Sequence, residues 1–354
     1  MTNFPLLVRF ETTPTNLYPQ MASQTGGDLR FTDASMTNTL NHEIESWNPN
    51  GSSFVWVQTP ALTATGCIYA YWGNPNDIDP PSSSTNGSVW SEGYLAVWHL
   101  HDTNDAGVFF DSTANGRDGV NNGSSNAAGP VADAQLFDGA SSFIDSGQSF
   151  LNNLGQFTLC TWANGNLTAG PTVGLVGQND ALEFGGTTGP AIWTERGGPV
   201  GLNAGPVPNF SWQHISVSGD GTTRRIYVNG VERAAGGSAT ADYGDSGFPV
   251  RIGGGGIWNA TGDFFDGSID EVRVSSTARS SNWLWSVWMN MTSNEQFNVW
   301  QATEELETNR PIVTTLTPTN ISSMGASLSA RRGLGGPPPR RHFLTRDCSR
   351  VRIV

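Results

Sequence analysis

Lysine is missing altogether from the 354 residues: all 18 basic positions are arginine, set against 31 acids for a net charge of −13. Wrapping a nucleic-acid duplex needs clustered positive charge to neutralise phosphate, so that class of function is excluded. Cysteine is scarce as well, confined to Cys67, Cys160 and Cys348. Three cysteines cannot build a disulfide framework in a chain this long, and their spacing fits no zinc-ligand pattern, so they read as free thiols. No apolar run reaches the roughly 18 residues that a membrane-spanning helix needs. The opening MTNFPLLVRFETTP also lacks the basic segment and apolar stretch of a cleaved export signal. With only 14% charged residues, a helical bundle or coiled coil is excluded too.

What the chain has instead is glycine and aromatic residues, with 43 Gly, 13 Trp and 17 Phe, a composition of strands and turns. At about 150 residues per domain, its length predicts roughly two domains. From PLLVRF to CIYAYWGNP, apolar runs of strand length alternate with turn clusters, and NPNDIDPPSSSTNGS reads as a linker, which sets a first, β-rich domain over 1–88. A longer block over 89–302 carries about a dozen candidate strands, among them LAVWHL, FTLCTWANG, PAIWTER, WQHISVSG and RRIYVNGVE. Asn229-Gly230 between two of them is a strong hairpin cue. So many short strands predict a two-sheet sandwich. One helix is expected at TARSSNWLWSVWMNM, with Leu284, Trp285 and Trp288 forming its apolar stripe.

The two ends are expected to be unusual. LLVRF already reads as a strand, so the chain is expected to begin inside a domain whose natural start is lost. Residues 303–330 are too few to bury a core of their own, and residues 331–354 hold seven of the arginines and one aspartate. That tail reads either as a basic arm or, from its abrupt change of composition, as translation in a shifted frame.

FTLCTWANG, SWQHISVSGDGTTRRIYVNGVERA and FFDGSIDEVRVSSTARSSNW, in that order, resemble the laminin-G-like and pentraxin-like jelly rolls of the concanavalin A-like lectin and glucanase superfamily. The likeness covers about 200 residues. The first domain, through FPLLVRF, GGDLRFTDA, HEIESW and YAYWGNP, is similar to an uncharacterised β-rich domain that precedes such jelly rolls in exported bacterial proteins. IVTTLTPTNISSMGASLSA is similar to the start of a fibronectin type III module. The expected fold is therefore all-β, a jelly-roll sandwich with a β-rich domain before it and one short helix near its end.

The resemblance implies a structural calcium ion held by carboxylates and loop carbonyls. Asp138 in LFDG and Asp270 in DEVRV are the expected ligands. Period-two alternation in DEVRV puts Asp270, Val272 and Val274 on one face, so Asp270 is expected to lie inward and to need a partner. The resemblance also implies glycosidases, which need paired carboxylates. The pattern Glu-x-Asp-x-x-Glu is absent, and Glu43 and Glu45 are expected to be solvated on either side of a core-facing Ile44. His99 and His101, with Asp102 or Asp111, could bind a transition metal, but His99 is expected to pair within the fold and His101 to be exposed. No nucleophile elbow, HExxH helix or phosphate loop is present, and Gly253–Gly256 reads as a turn.

Sugars bind by stacking C–H faces on exposed rings while nearby polar groups satisfy their hydroxyls. Trp193, with Glu195 and Arg196, and Trp258 are the expected ligand contacts, whereas Trp162 and Trp212 are expected to be buried. The expected function is non-catalytic binding of a glycan or a cell-surface protein, outside the cell or on its surface. Polysaccharide hydrolysis and a purely architectural spacer are the alternatives.

Overall fold

The computed structural model describes residues 1–12, 17–101, 107–168, 172–196, 201–237, 242–258, 262–301, 304–306, 321–322, 325–326 and 348–353. Asp102 lies outside these residues, as does nearly all of the expected fibronectin-like fragment and most of the basic tail. The chain divides into two compact units, Met1–Val89 with Ser293–Val354, and Trp90–Thr292.

The first unit holds β1 (Thr2–Phe10), β2 (Arg30–Asp33), β3 (His42–Ser46), β4 (Ser53–Ala61) and β5 (Ile68–Trp72). One sheet has the order β1-β4-β3, and a second pairs β2 with β5 and continues through Cys348–Ile353 to Glu304–Leu306. β1 is an edge strand, whose unpaired backbone groups need partners when buried. The carbonyl of Leu7 finds two, accepting from Asn294 Nδ2 at 2.8 Å and Asn298 Nδ2 at 2.6 Å. HEIESW departs from strict alternation because its register with β4 slips between Ile44 and Ser46. His42, on the same face as Ile44, is the buried residue, at 1% exposure, and Ile44 is only half-buried. Glu45 is not simply solvated, since it accepts from Trp56 Nε1 at 2.6 Å.

The second unit begins with β6 (Tyr94–Trp98), β7 (Val108–Phe109), β8 (Gly119–Asn122), β9 (Ser125–Ala128), β10 (Asp133–Asp138) and β11 (Phe143–Asp145). Next come β12 (Phe157–Gly165), β13 (Val173–Gln178), β14 (Leu182–Gly186), β15 (Pro190–Thr194) and β16 (Leu202–Asn203). The last are β17 (Gln213–Gly219), β18 (Thr223–Val228), β19 (Val231–Gly237), β20 (Arg251–Ile252) and β21 (Asp266–Ser275), before the helix α1 (Ser281–Thr292). They form two antiparallel eight-stranded sheets. The first runs β19-β18-β17-β12-β21-β10-β9 with β6 also on β21, and the second runs β16-β15-β14-β13-β20-β11-β8-β7. Alternation sends Leu159, Ile215, Val217 and Ile226 from the first sheet, and Leu175, Phe184, Ile192 and Ile252 from the second, into one shared core. Asn229 and Gly230 take φ of 51° and 74°, as the expected two-residue turn between β18 and β19 requires.

β21 breaks its own alternation. Cys160 is opposite Arg273 and Trp162 is opposite Asp270, so two residues of β21 face one of β12, and Glu271 sits at φ 52°. This is a bulge, and it reverses the phase of the strand. Ile269, Val272 and Val274 enter the core. The expectation that Asp270 shares the inward face of Val272 and Val274 is thereby corrected: it faces outward beside Trp162. That outer face is covered by α1, where Trp162 Nε1 donates to Met291 Sδ at 3.3 Å. The helix buries Trp283, Leu284, Val287 and Met291, and it leaves Trp285 at 38% exposure, so the stripe lies one position off the expected one. Trp162 is buried as expected, but under the helix and outside the sandwich core, and Trp212 is only half-buried.

Candidate functional site

The outer face of the second sheet brings together the two tryptophans that the sequence singles out. In β14, Leu182 and Phe184 point into the core, so Glu183 and Gly185 point outward. In β15, Ile192 points inward, and Ala191 and Trp193 point outward. The register sets Glu183 directly opposite Trp193 and Gly185 opposite Ala191. Trp193 is 40% exposed, whereas Glu183 is only 5% exposed.

Glu183 is buried where residues 253–258 and 262–265 fold back over the outer face of the sheet. Three outward positions beneath the loop are glycine, and each leaves room that a Cβ would fill. At Gly174 it would stand 2.8 Å from Asp263 Oδ2, at Gly177 3.0 Å from Ile257 Cγ2, and at Gly185 it would strike the Trp258 indole nitrogen. Ile257 is fully buried on this floor. Trp258 Nε1 donates to the Val173 carbonyl at 3.0 Å. Asp263 holds the loop's shape by accepting the backbone N–H groups of Gly256 at 2.9 Å, Ile257 at 3.0 Å and Trp258 at 2.7 Å.

Glu183 Oε1 accepts the Asp180 N–H at 2.9 Å, and Asn179 Nδ2 donates to the Ile257 carbonyl at 3.2 Å. Burial pushes the Glu183 carboxyl up to about 7, and the nearby charges of Asp180 and Asp263 add to the rise, against the lowering by the Asp180 N–H. Burial also raises Asp263. The arrangement is thus an exposed indole beside a carboxyl poised to exchange a proton near neutrality, with a second indole seated over the same hairpin. Composition and motif spacing did not point to Glu183 or Asp180. The signal was there in the alternation of ALEFGG, which puts a glutamate outward between core residues.

Arg196 does not join Trp193. It is ion-paired to Asp242 and, at 2.5 Å, to Asp245, and these carboxylates hold it in its charged form. Glu195 Oε2 lies 4.0 Å from it and accepts the Asp245 N–H at 3.1 Å.

Asp138 and Asp270 do not form a calcium cradle together. Asp138 is opposite Asp266, four residues along β21 from Asp270, on the order of 13 Å at the rise of a strand. The Asp138 carboxylate ties a turn, accepting from the N–H groups of Ala140, Ser141 and Ser142 at 2.8–2.9 Å and from two serine hydroxyls, which hold it well below the usual carboxylate range. Asp270 Oδ1 accepts from Glu271 N at 2.7 Å and Oδ2 from Val131 N at 3.2 Å. N–H donors converge where a cation would sit. Among the described residues, neither aspartate belongs to a group of three His, Cys or carboxylate ligand atoms within 4.8 Å of one another.

His99 pairs within the fold as expected, its Nδ1 2.6 Å from Glu271 Oε1, and Glu271 is in turn paired with Arg273. These two partners hold the fully buried Glu271 in its ionised form against the cost of burial. The Arg273 guanidinium also lies 4.8 Å from the Trp90 ring centre. His101 is half-buried, 3.4 Å from Asp133. Asp111 accepts backbone N–H groups from Val97, Thr113 and Arg117 and so shapes a turn.

Residues 138–284 match the model of the concanavalin A-like lectin/glucanases superfamily, and residues 25–117 match that of a domain of unknown function, DUF2341. The central module is a concanavalin A-like sandwich. No curated protein matches the chain. Among solved structures, domain 4 of an extracellular arabinanase from Geobacillus stearothermophilus, in complex with arabinotriose, is 21% identical with a TM-score of 0.44, over 55% of this chain and 98% of that one. The binding domain of Paraclostridial mosquitocidal protein 1 is 13% identical with a TM-score of 0.45, over 67% and 68%. The ligand-binding domain of botulinum neurotoxin serotype D, in complex with N-acetylneuraminic acid, is 10% identical with a TM-score of 0.42, over 55% and 50%. These are likenesses of fold alone.

Proposed function

We propose that the sandwich is a non-catalytic carbohydrate-binding module of an exported or surface-attached bacterial protein, and that its ligand lies on the outer face of the second sheet against Trp193. The observation that carries this reading is the 40% exposed Trp193 ring beside Glu183, on strands fixed by the core below them. Part of the Trp193 ring packs against Gly201 and the rest faces solvent on a sheet surface, and sugar C–H faces stack on such rings while carboxylates and amides take the hydroxyls. The acidic, lysine-free composition suits a soluble protein outside the cell, which is an argument about charge and not about fold.

The test is retention of the full chain on immobilised neutral polysaccharides, compared with Trp193→Ala. Removing one stacking ring should weaken binding about tenfold while leaving the melting temperature in place. Equal retention of the two proteins would overturn the reading.

Polysaccharide hydrolysis is a second reading, favoured by one observation: a carboxyl at about 7 is still partly protonated at neutral pH, as a general acid must be. It requires that reducing ends be released by the chain and not by Glu183→Gln.

A further inference from the structure

The surroundings of Trp193 hold almost no positive charge that a ligand could use. Glu183 stands directly opposite Trp193, the charges of Asp180 and Asp263 lie close to Glu183, and among the described residues no ion pair joins any of the three to an arginine. Beyond the end of β15, Arg196 is surrounded by Asp242, Asp245 and Glu195, so its guanidinium is already over-neutralised. Two other arginines of the second unit are committed nearby. Arg251 is held by Asp145 at 3.0 Å, and Arg224 is buried with its Nη1 donating to Thr194 Oγ1 at 2.9 Å. An anionic sugar brought onto this face would meet carboxylates and find no guanidinium fork to pair with, whereas a neutral one loses nothing.

We infer that this face selects its ligands by charge, accepting neutral, hydroxyl-rich oligosaccharides and rejecting those that carry carboxylates, such as uronates and sialylated sugars. The inference rests on the reading of Trp193 as a sugar-stacking ring and adds the chemical class of the sugar. Repulsion between exposed like charges is screened by salt, so the discrimination is strongest at low ionic strength and shrinks as salt is added.

The experiment is calorimetric titration of the full chain with arabinotriose, xylotetraose and cellotetraose on one side, and oligogalacturonate and sialyllactose on the other, at low and high salt. At least one neutral probe should bind about tenfold more tightly than either acidic probe at low salt, with the gap narrowing at high salt. The double variant Asp180→Asn, Glu195→Gln should narrow the gap between acidic and neutral probes at low salt. Both positions are exposed, and asparagine tolerates the φ of 58° at position 180, so the fold is kept. Acidic probes binding as tightly as neutral ones, with Trp193→Ala abolishing both, would overturn charge selection and leave sugar binding standing. Binding of no probe, or binding that ignores Trp193→Ala, would overturn the reading of the face and this inference with it.

Discussion

Glu183 offers a quantitative test of the site. Its carboxyl titrates near 7 in the folded protein, against 4.5 when unperturbed, because the loop has removed water from it. A raised folded value means that the folded state holds the proton more tightly, so this group's favourable contribution is complete below 4.5 and is lost as pH rises through 7. That rise corresponds to about 3 kcal/mol, and at 5% exposure little of it is screened by solvent. Glu183→Gln keeps the shape and the acceptor for the Asp180 N–H but carries no proton to lose. The variant should match the parent near pH 4.5 and exceed it by about 3 kcal/mol at pH 8, which for a unit of this size is on the order of 6–12 °C in melting temperature. Calorimetric melting of both proteins across this pH range reads the difference directly. A gap between them that does not change with pH, or a variant less stable at pH 8, would refute the account of a desolvated carboxyl beneath the loop.

Other expectations follow from the same structure. Gly185→Ala should destabilise the second unit by at least about 1–3 kcal/mol, because the new methyl would strike the Val173 carbonyl oxygen and the Trp258 indole nitrogen hydrogen-bonded to it, and tryptophan emission should shift with it. His42 is held neutral by burial, down to about 4 against 6.5 unperturbed. The unfolded chain takes up a proton first as pH falls, so the first unit should lose about 2 kcal/mol between pH 7 and pH 5, and His42→Leu should flatten that slope in urea melts. Calcium followed by a chelator should leave the melting temperature unmoved, given the N–H donors already on Asp138 and Asp270. A rise with calcium that Asp138→Asn removes would restore a cation to that turn.

Much of the fold was legible because period-two patterning with turn residues between strands admits few architectures. The hairpin at Asn229-Gly230, the helix after VRVSS and the two-sheet core follow from local signals. The failures have separate physical causes. Strict alternation cannot anticipate a bulge, and one extra residue at Glu271 turned Asp270 away from the core, whereas in HEIESW alternation puts His42 and Ile44 on one face and does not say which of the two is covered. The site was half legible. Trp193 and Trp258 stood out as indoles near loops, yet nothing local shows that they share one hairpin, since a distant loop carries Trp258 there. Arg196 looked available because its partners, Asp242 and Asp245, lie some 46 to 49 residues on.

The glycine floor has a consequence for engineering. Because hydrogens at positions 174, 177 and 185 form the seat of Ile257, Trp258 and Asp263, what rests there is decided by the backbone surface and by Asp263 gathering its three amides. A different peptide crossing of the same length, keeping that aspartate and a flat apolar residue over Gly185, could be grafted onto the plate without redesigning any strand, and the wall beside Trp193 would change its chemistry while the scaffold stayed fixed.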